Sequence, residues 1–260
     1  MSTTSLRRAD RVSHILELLA TQGSVNVADL AAAFGVSTAT LRRDLQMLED
    51  QKLLSRTHGG ALAQHVAYEL PVRYRGGQHR EQKQRIAACA AALLPHGPLT
   101  LGLTGGTTTS AVARLIADRV DLIVVTNALN IATDLAMRPR LKIIMTGGVT
   151  RTQSYEVVGR FAEQTLAGLK IEVAVVGVDG ISAGGGLTTH DEVEAHTNQA
   201  MIRQAARVIV VADGTKIGRT LLACMGSLGD VNDIVTDRSA EPRALDELKR
   251  AGITVHLVDA

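Results

Sequence analysis

The feature that most limits the possible fold is a repeated alternation of short apolar segments with helical segments in the second part of the chain. Segments with helical periodicity are predicted at 107–118, 128–137 and 191–205. The segments between these helices include runs of β-branched residues, which are typical of strands buried on both faces of a parallel sheet. Such alternation of strands and helices builds an open, doubly wound sheet. We therefore predict an α/β fold with a mostly parallel sheet, whose strands are 99–103, 122–126, 141–145, 173–178, 208–212, 234–236 and 254–258.

Composition agrees with this fold class. Hydrophobic residues make up 45% of the 260 residues and aromatic residues only 2%, so the core must consist of Ala, Val, Leu and Ile. The chain is longer than the usual single domain of about 100–150 residues, which favours two domains. Cys89 and Cys224 are too few for a disulfide framework and have no zinc-site spacing. With no secretion signal and no run of about 18 apolar residues, we expect a soluble, cytoplasmic protein without membrane contact.

Residues 1–60 carry the pattern of three helices followed by a β-ribbon. The first helix ends near Gly23, and Asn26 is placed to cap the second. Gly35 breaks the second helix and allows a tight turn, after which Ser37 can cap a third helix predicted over 38–50. Two helices joined by a short turn that contains glycine are typical of a helix-turn-helix.

The helix predicted over 38–50 has one apolar and one polar face. At 100° per residue, Leu41, Leu45 and Leu48 share one side, and short polar and arginine side chains lie opposite. This geometry places a helix in the major groove of DNA, and the basic ribbon at 52–60 is suited to backbone or minor-groove contact as a wing. The predicted DNA contacts are Ser37, Thr38, Thr40, Arg42, Arg43 and Gln46 on the helix, and Arg56 and His58 on the wing.

Net charge does not identify a nucleic-acid partner. Residues 1–60 contain seven Lys and Arg against six Asp and Glu, a difference of only +1. An arginine pair on a helix is more often a solvated surface than a binding site. The prediction of DNA binding therefore depends on the combination of turn, helix face and wing.

These motifs resemble the DeoR family of bacterial regulators of sugar metabolism. The matching segments are VNVADLA at 25–31, FGVS at 34–37, LRRDL at 41–45, LE at 48–49 and RTHGGA at 56–61. One departure is ATL at 39–41, where the family tends to have a β-branched Ile before the arginine pair, a volume-conserving change in the core. The resemblance implies a winged helix-turn-helix over 1–60 that binds double-stranded operator DNA.

Polar and glycine-rich turns follow the predicted strands. In a doubly wound sheet, ligands bind outside the carboxyl ends of the strands. The turn at 104–109 offers amide hydrogens, hydroxyls and a helix dipole to an anion such as a phosphate, although simple helix capping explains the same residues equally well. The predicted effector-binding residues are Gly105, Gly106, Thr107, Thr108, Thr109, Asn127, Gly147, Gly148, Asp179, Glu194, Asp213 and Lys216.

The predicted roles within this set differ. Lys216 supplies a positive charge for a phosphate, and Asp179 and Asn127 can hydrogen-bond sugar hydroxyls. Each residue alone has an ordinary explanation as a turn cap or a surface charge. Their common position at strand ends is the reason to consider them together. The sequence lacks the lysine-bearing nucleotide loop and the dinucleotide fingerprint, so no nucleotide cofactor is expected.

This second half is also similar to the DeoR family. Matching segments are GGTT at 105–108, VTN at 125–127, GG at 147–148, VG at 158–159, GVDG at 177–180, GLT at 186–188 and AD at 212–213, with Lys83, Glu194 and Lys216. Apolar periodicity fades over 61–80, where Pro71, Gly76 and Gly77 interrupt a polar stretch, so we predict a linker there. The resemblance implies an effector-sensing domain over 81–260 that resembles sugar-phosphate isomerases in fold. It implies a repressor of a sugar or carbohydrate catabolic operon that responds to a phosphorylated sugar as a dimer or tetramer. Departures at Thr104, Gly105 and the Gly214-Thr215 pair leave the sugar open.

Two alternatives concern catalysis and metal binding. Asp179, Glu194, Asp213 and Lys216 could move protons in a sugar-phosphate isomerase, but the resemblance implies binding without turnover, so no catalytic residue is expected. A zinc site is the second alternative, since His190 and His196 lie among acidic residues. The two histidines are six residues apart, which corresponds to a rotation of about 240° around a helix axis. They therefore do not share a helix face, and no metal is expected.

Overall fold

The computed structural model describes residues 8–63 and 69–259. The chain divides into two compact units, residues 1–78 and residues 79–260. We refer to them as the winged-helix unit and the sheet unit. No helix in the described ranges is long and apolar enough to cross a membrane.

The winged-helix unit combines short helices with a small antiparallel sheet. Its sheet has the order β1-β3-β2, with β3 in the centre. The elements are α1 (Arg8–Gln22), β1 (Ser24–Asn26), α2 (Val27–Phe34), α3 (Thr38–Asp50), β2 (Ser55–Arg56), β3 (Gly60–Leu62) and α4 (Val72–Arg75).

The predicted helix boundaries in this unit are confirmed by the cap geometry. The Asn26 side chain accepts a hydrogen bond from the Ala28 amide at 2.7 Å, and Gly35 ends α2 in the left-handed conformation with φ of 62°. Ser37 Oγ accepts from the Thr40 amide at 3.2 Å and starts α3 at the predicted residue. Local side-chain chemistry therefore fixes where these helices begin and end.

The core of the winged-helix unit contains the predicted apolar face of α3. Leu41, Leu45 and Leu48 are fully buried and lie in one cluster with residues of α1 and α2. Asp44, on the same side of α3, is also buried and forms an ion pair with Arg11 of α1, with Arg11 Nη2 2.7 Å from Asp44 Oδ2. This charge pair inside a small core was not predicted.

Part of the predicted linker belongs to the winged-helix unit. Ala61 and Leu62 lie in β3, and Val72–Arg75 form α4. Val72 is buried, and Ser13 Oγ of α1 hydrogen-bonds the carbonyl of Tyr74, so this segment packs on α1. The prediction of a linker over 61–80 is wrong for these residues, because their backbone and side-chain partners lie within the winged-helix unit. Residues 64–68 of the predicted linker lie outside the described part.

The sheet unit is built on a parallel sheet of seven strands in the order β15-β14-β12-β9-β4-β5-β6, which confirms the predicted fold class. Its elements are α5 (Arg80–Ala92), β4 (Leu99–Leu103), α6 (Thr107–Ile116), β5 (Leu122–Thr126), α7 (Leu129–Ala136), β6 (Lys142–Met145), β7 (Val149–Arg151), β8 (Glu156–Val158), α8 (Arg160–Ala167), β9 (Ile171–Gly177), β10 (Gly180–Ser182), β11 (Gly186–Thr189), α9 (Glu192–Gln204), β12 (Ala205–Val211), β13 (Ala223–Gly226), β14 (Asp233–Asp237), α10 (Pro242–Arg250) and β15 (Thr254–Val258).

Helices cover both faces of this sheet. Side chains of β9 alternate, with Val173 and Val175 in the cluster that contains α5, α6 and α7. Ala174 and Val176 belong to the cluster on the opposite face, which contains α8, α9 and α10. The period of two along a strand thus supplies two separate cores, as the β-branched runs predicted.

The strand order reverses between β4 and β9. From β4 the chain steps outward through β5 and β6, and then returns to β9 on the other side of β4 before continuing to β12, β14 and β15. The two central strand ends are joined by a hydrogen bond from the Gly177 amide to Thr104 Oγ1 at 3.0 Å. This reversal is the position where doubly wound sheets form a crevice for ligands.

Two smaller pieces of antiparallel sheet were not predicted. β7 pairs with β8, and β11 lies between β10 and β13. The helices α8 and α10 were also not predicted. The β7–β8 hairpin follows β6, so the chain next to the predicted Gly147 and Gly148 contributes side chains to the carboxyl edge of the main sheet.

Candidate functional sites

The exposed face of α3 is the candidate DNA-binding surface. Arg42 and Arg43 are both exposed, and within 8–63 and 69–259 neither guanidinium has a hydrogen-bond or ion-pair partner. Ser37 and Thr38 at the start of α3 are exposed as well, and Thr40 is half-buried with its hydroxyl 2.9 Å from Ser37 Oγ. The helix therefore presents two free arginines and small hydroxyl side chains on one surface.

The predicted wing contacts have different surroundings. His58 lies exposed in the turn between β2 and β3, whereas Arg56 lies within β2. The Arg56 guanidinium donates to Gln46 Oε1, and Gln46 Nε2 donates to Asp50 Oδ1 at 2.9 Å. The Arg56 amide donates to Glu49 Oε1 at 2.9 Å, so a polar network joins the wing to the end of α3.

In the sheet unit, the loop from β4 to α6 is the candidate anion site. Gly106 has φ of 121°, a conformation that disfavours any other residue, and it precedes the first residue of α6. The amides of the first helical turn have no carbonyl ahead of them within the helix and point towards the loop. The hydroxyls of Thr109 and Ser110 donate to the Gly106 carbonyl at 2.9 and 2.7 Å, so they hold the loop. Thr107 is half-buried and Thr108 is buried in the same turn.

A buried glutamate, Glu156 of β8, lies directly against this loop. An ideal Cβ placed on Gly105 would be 2.1 Å from Glu156 Oε1, so only a glycine fits beside this carboxyl group. The carboxyl group accepts from the Gly105 amide, from Asn127 Nδ2 at 3.0 Å and from Asn198 Nδ2 at 3.1 Å. Sequence reasoning missed Glu156, since a single glutamate in a short hairpin carries no local pattern.

The pKa of Glu156 is strongly perturbed. Burial raises it well above the ordinary value of a glutamate, and the negative charge of Glu194 raises it further. The hydrogen bonds from Asn198, Asn127 and the Gly105 amide favour the ionised form and oppose this rise. Because burial dominates, the carboxyl group holds its proton at a higher pH than a glutamate in water.

A second polar chain connects the ends of β9, β11 and α9. Lys216 Nζ lies 3.5 Å from Asp179 Oδ1, and Thr189 Oγ1 lies 3.1 Å from Asp179 Oδ2 and 2.8 Å from Glu194 Oε1. Arg151 of β7 completes the chain, with Nη1 3.1 Å from Glu194 Oε2. The structure therefore brings the predicted residues Asp179, Glu194 and Lys216 together, through Thr189 and with Arg151, neither of which was predicted.

The other predicted effector residues lie at neighbouring strand ends. Asp213 is buried after β12, 4.0 Å from Lys83 Nζ. Gly147 and Gly148 form the turn into β7, and a Cβ on Gly148 would lie 2.6 Å from the Val158 carbonyl oxygen. Asn127 is fully buried, with its amide directed at Glu156. A direct effector contact by each of these residues stays a prediction.

A winged helix with a free arginine surface, followed by a doubly wound sheet with polar residues at its reversal point, defines a DNA-binding regulator with a ligand-sensing domain. Comparison with known proteins identifies the family. The sequence model of the DeoR-like helix-turn-helix domain matches residues 11–66, and that of the DeoR C-terminal sensor domain matches residues 78–238. The chain belongs to the DeoR family of transcriptional regulators.

Curated relatives match over most of the chain. A glycerol-3-phosphate regulon repressor of Escherichia coli K12 is 34% identical over 232 residues, which cover 89% of this chain and 92% of that protein. The transcriptional repressor CsqR of the same strain is 32% identical over 237 residues, covering 91% of this chain and 90% of the relative. Because relatives that match across both units are repressors, the protein is a transcriptional regulator and not an enzyme.

Solved structures with a similar fold are more distant. The full-length sorbitol operon regulator SorC from Klebsiella pneumoniae has 16% identity and a TM-score of 0.41, with 91% of this chain and 98% of that chain covered. A ribose 5-phosphate isomerase A from Methanocaldococcus jannaschii has 16% identity and a TM-score of 0.40, with 56% of each chain covered. At this level of similarity neither structure says anything about the chemistry of this chain.

Proposed function

We propose that this protein represses a sugar or carbohydrate catabolic operon and that a phosphorylated sugar changes its affinity for the operator. The observation that carries the proposal is the polar chain of Asp179, Glu194 and Lys216, in a chain that also has a DNA-binding unit. Through Glu156, which faces Glu194 and accepts from the Gly105 amide, this chain reaches the helix-initiating loop at the reversal point of the sheet. The name of the glycerol-3-phosphate regulon repressor, which ties that relative to a phosphorylated polyol, supports the choice of effector class. The proposed location is the cytoplasm.

On the DNA side, α3 enters the major groove. Arg42 and Arg43 contact phosphates or guanine edges, and His58 contacts the backbone or minor groove beside the wing. Proteins of this class read paired half-sites about 34–36 Å apart, so we propose a homodimer or homotetramer as the active form. The Arg56–Gln46 bond orients the wing relative to α3 and limits how far Gln46 can reach on its own.

On the effector side, the phosphate binds at the first turn of α6 and the sugar binds at the polar chain. The amides of Gly106, Thr107 and Thr108 and the helix dipole receive the phosphate, while Lys216 adds a positive charge. Asp179 accepts hydrogen bonds from sugar hydroxyls. The effector changes operator occupancy only if it binds the DNA-competent and DNA-incompetent arrangements with different affinities.

Removing the free arginines should weaken operator binding. We expect Arg42→Ala and Arg43→Ala each to weaken it by about tenfold or more, since one base or phosphate contact of arginine is worth about 1–3 kcal/mol. Fluorescence anisotropy titrations on DNA from the promoter region at several salt concentrations measure the loss. A variant that loses a phosphate contact should also show a salt slope smaller by about one.

The matched control is Arg140→Ala, which removes an exposed arginine of the sheet unit and should leave operator affinity unchanged. If both Arg42→Ala and Arg43→Ala bind the operator like the unchanged protein, α3 is not the recognition helix. Binding of a sugar phosphate by either variant should stay as in the unchanged protein, because the substitutions lie in the other unit.

Lys216→Ala tests the effector site. In titrations of the protein–operator complex with a panel of sugar phosphates and the matching free sugars, we expect only phosphorylated compounds to change operator binding. Lys216→Ala should raise the concentration needed by about 10- to 100-fold, because a hydrogen bond to a charged group contributes about 1.5–3 kcal/mol. Lys170→Ala, an exposed lysine of the same unit, is the control. A panel without any active phosphorylated compound would contradict the proposed sensing function.

A further inference from the structure

Glu156 lies buried directly against the candidate anion loop. It is 3% exposed, and its carboxyl group touches the loop that leads into α6 through the Gly105 amide. The carboxyl oxygen and Gly105 are so close that no side chain could stand between them. A negative charge on Glu156 therefore lies immediately beside the place where the loop would receive an anion.

We propose that anion binding at the 105–109 loop is coupled to protonation of Glu156, so that the protein binds its effector together with a proton. The inference rests on the proposed function of this loop as the phosphate site. Two negative charges within a few ångströms in a buried site repel each other strongly, and uptake of one proton removes the repulsion. Glu156 thus acts as a positioning residue that sets how effector affinity depends on pH.

Among the described residues, Glu194 is the charged group that perturbs the pKa of Glu156, and a proton can supply the compensating charge. Glu194 of α9 faces Glu156 and carries a like charge. The guanidinium of Arg151, on the strand that pairs with β8, instead contacts Asp191 and Glu194 at 3.1 Å each. On α8, Arg160 is exposed and Glu163 is half-buried, and neither contributes to the perturbation of Glu156.

The structure also offers a hydrogen-bond acceptor for the protonated carboxyl group of Glu156. Asn127 Oδ1 is buried and has no hydrogen-bond partner in the described part of the chain, while Asn127 Nδ2 donates to Glu156 Oε2. Rotation of the Asn127 amide by half a turn would place Oδ1 against the carboxyl group, where it can accept a hydrogen bond from neutral Glu156. Nδ2 would then give up its 3.0 Å hydrogen bond to Asn198 Oδ1. The same site can therefore hydrogen-bond either ionisation state.

The direction of the pH effect follows from the raised pKa. The folded protein holds the Glu156 proton to a higher pH than the unfolded chain, so the contribution of Glu156 to stability is greatest at low pH and is lost as the pH rises through the raised pKa. An anion at the loop raises this pKa further, so the affinity for the anion must fall with rising pH over the same range.

Sulfate is the probe for the test, because it stays doubly charged throughout the range used. We would titrate the full-length protein with sulfate from about pH 5.5 to about pH 8.5 at constant ionic strength and follow thermal unfolding, since a ligand of the folded state raises the unfolding temperature. Sulfate affinity of the unchanged protein should fall by up to about tenfold per pH unit. Glu156→Gln should bind sulfate with little pH dependence and more tightly than the unchanged protein at the upper end.

Glu163→Gln is the matched control and should keep the pH dependence of the unchanged protein. A second measurement needs no variant: calorimetric titration of the unchanged protein in two buffers of different ionisation enthalpy should reveal uptake of a fraction of a proton per sulfate bound. Sulfate binding without proton uptake would overturn the coupling, and so would a sulfate affinity of Glu156→Gln with the same pH dependence as that of the unchanged protein. Neither result would contradict the anion site itself. Absence of sulfate binding at every pH in both proteins would overturn the anion site itself, and the coupling with it.

Discussion

Replacing Asp44 with Ala should destabilise the winged-helix unit by about 3–5 kcal/mol and abolish operator binding at ordinary temperatures. Asp44 is 2% exposed and Arg11 is 6% exposed, and the carboxylate accepts from Arg11 Nε at 2.8 Å. Removing the carboxylate deprives the buried Arg11 guanidinium of its ion pair with Asp44. That residual cost, more than the value of the ion pair itself, produces the expected loss.

The measurement is chemical denaturation followed by circular dichroism, analysed as two transitions because the chain has two compact units. Only the transition of the winged-helix unit should move. Arg8→Ala is the matched control: Arg8 also contacts Asp44, at 3.2 Å, but its side chain is 61% exposed, so its loss should cost less than about 1 kcal/mol. An Asp44→Ala protein as stable as Arg8→Ala would contradict the argument.

A double substitution distinguishes the cost of an uncompensated buried charge from the loss of side-chain contacts. Arg11→Met combined with Asp44→Leu replaces both charges by apolar side chains of similar length, so the buried ion pair is removed as a whole. We expect this double variant to regain most of the stability that Asp44→Ala loses, because apolar replacement of a whole buried pair is often neutral or stabilising. If the double variant is as unstable as Asp44→Ala, the ion pair stabilises the unit through the contacts that it makes. The cost of a buried charge without Asp44 would then not explain the loss of stability.

Asp44 also shows where sequence reasoning reaches its limit. The bounds of α3 could be predicted because Ser37, the leucine spacing and the preceding Gly35 are all local signals. The burial of Asp44 could not, because its partner Arg11 lies on another helix and an acidic residue counts as a surface charge until the tertiary contact is known. The charge count over 1–60 included both residues as if they were exposed.

The same distinction applies to the sheet unit. Strands β4, β5 and β15 were predicted with their observed bounds because continuous apolar runs between turn residues are visible locally. The strands β7, β8, β10, β11 and β13 are short, and some pair with distant partners, as Leu187 does with Gly226. The contact between Gly105 and Glu156 is of this second kind, so the predicted site contained the glycine and lacked the carboxyl group that requires it.

The second large effect is expected at Gly60, in the central strand of the wing sheet. Gly60 of β3 pairs with Asn26 of β1, and an ideal Cβ on Gly60 would lie 1.9 Å from the Val25 carbonyl oxygen. This atom is backbone and belongs to the paired strand, so it cannot rotate away as a flexible side chain could. Gly60→Ala must therefore separate β1 from β3. The expected loss of unfolding free energy is at least that of overpacking a core, about 1–3 kcal/mol.

Gly59→Ala is a close control for this substitution. Gly59 is the neighbouring residue, it has no heavy atom within 4 Å of an ideal Cβ, and its φ does not lie in the left-handed region. We expect Gly59→Ala to have the same stability and the same operator affinity as the unchanged protein. Gly60→Ala should lose stability in the winged-helix unit. Equal behaviour of the two variants in denaturation would contradict the argument.

Operator titrations of the same pair of variants test the role of the wing. The Val27 amide donates to the Gly59 carbonyl at 2.8 Å, so separation of β1 from β3 also disturbs the start of α2 and moves His58. α3 keeps its own cap at Ser37 and its buried leucines under the same change. At a temperature where Gly60→Ala is still folded, loss of operator affinity therefore has to come from the displaced wing, whereas unchanged affinity would mean that α3 binds the operator without it.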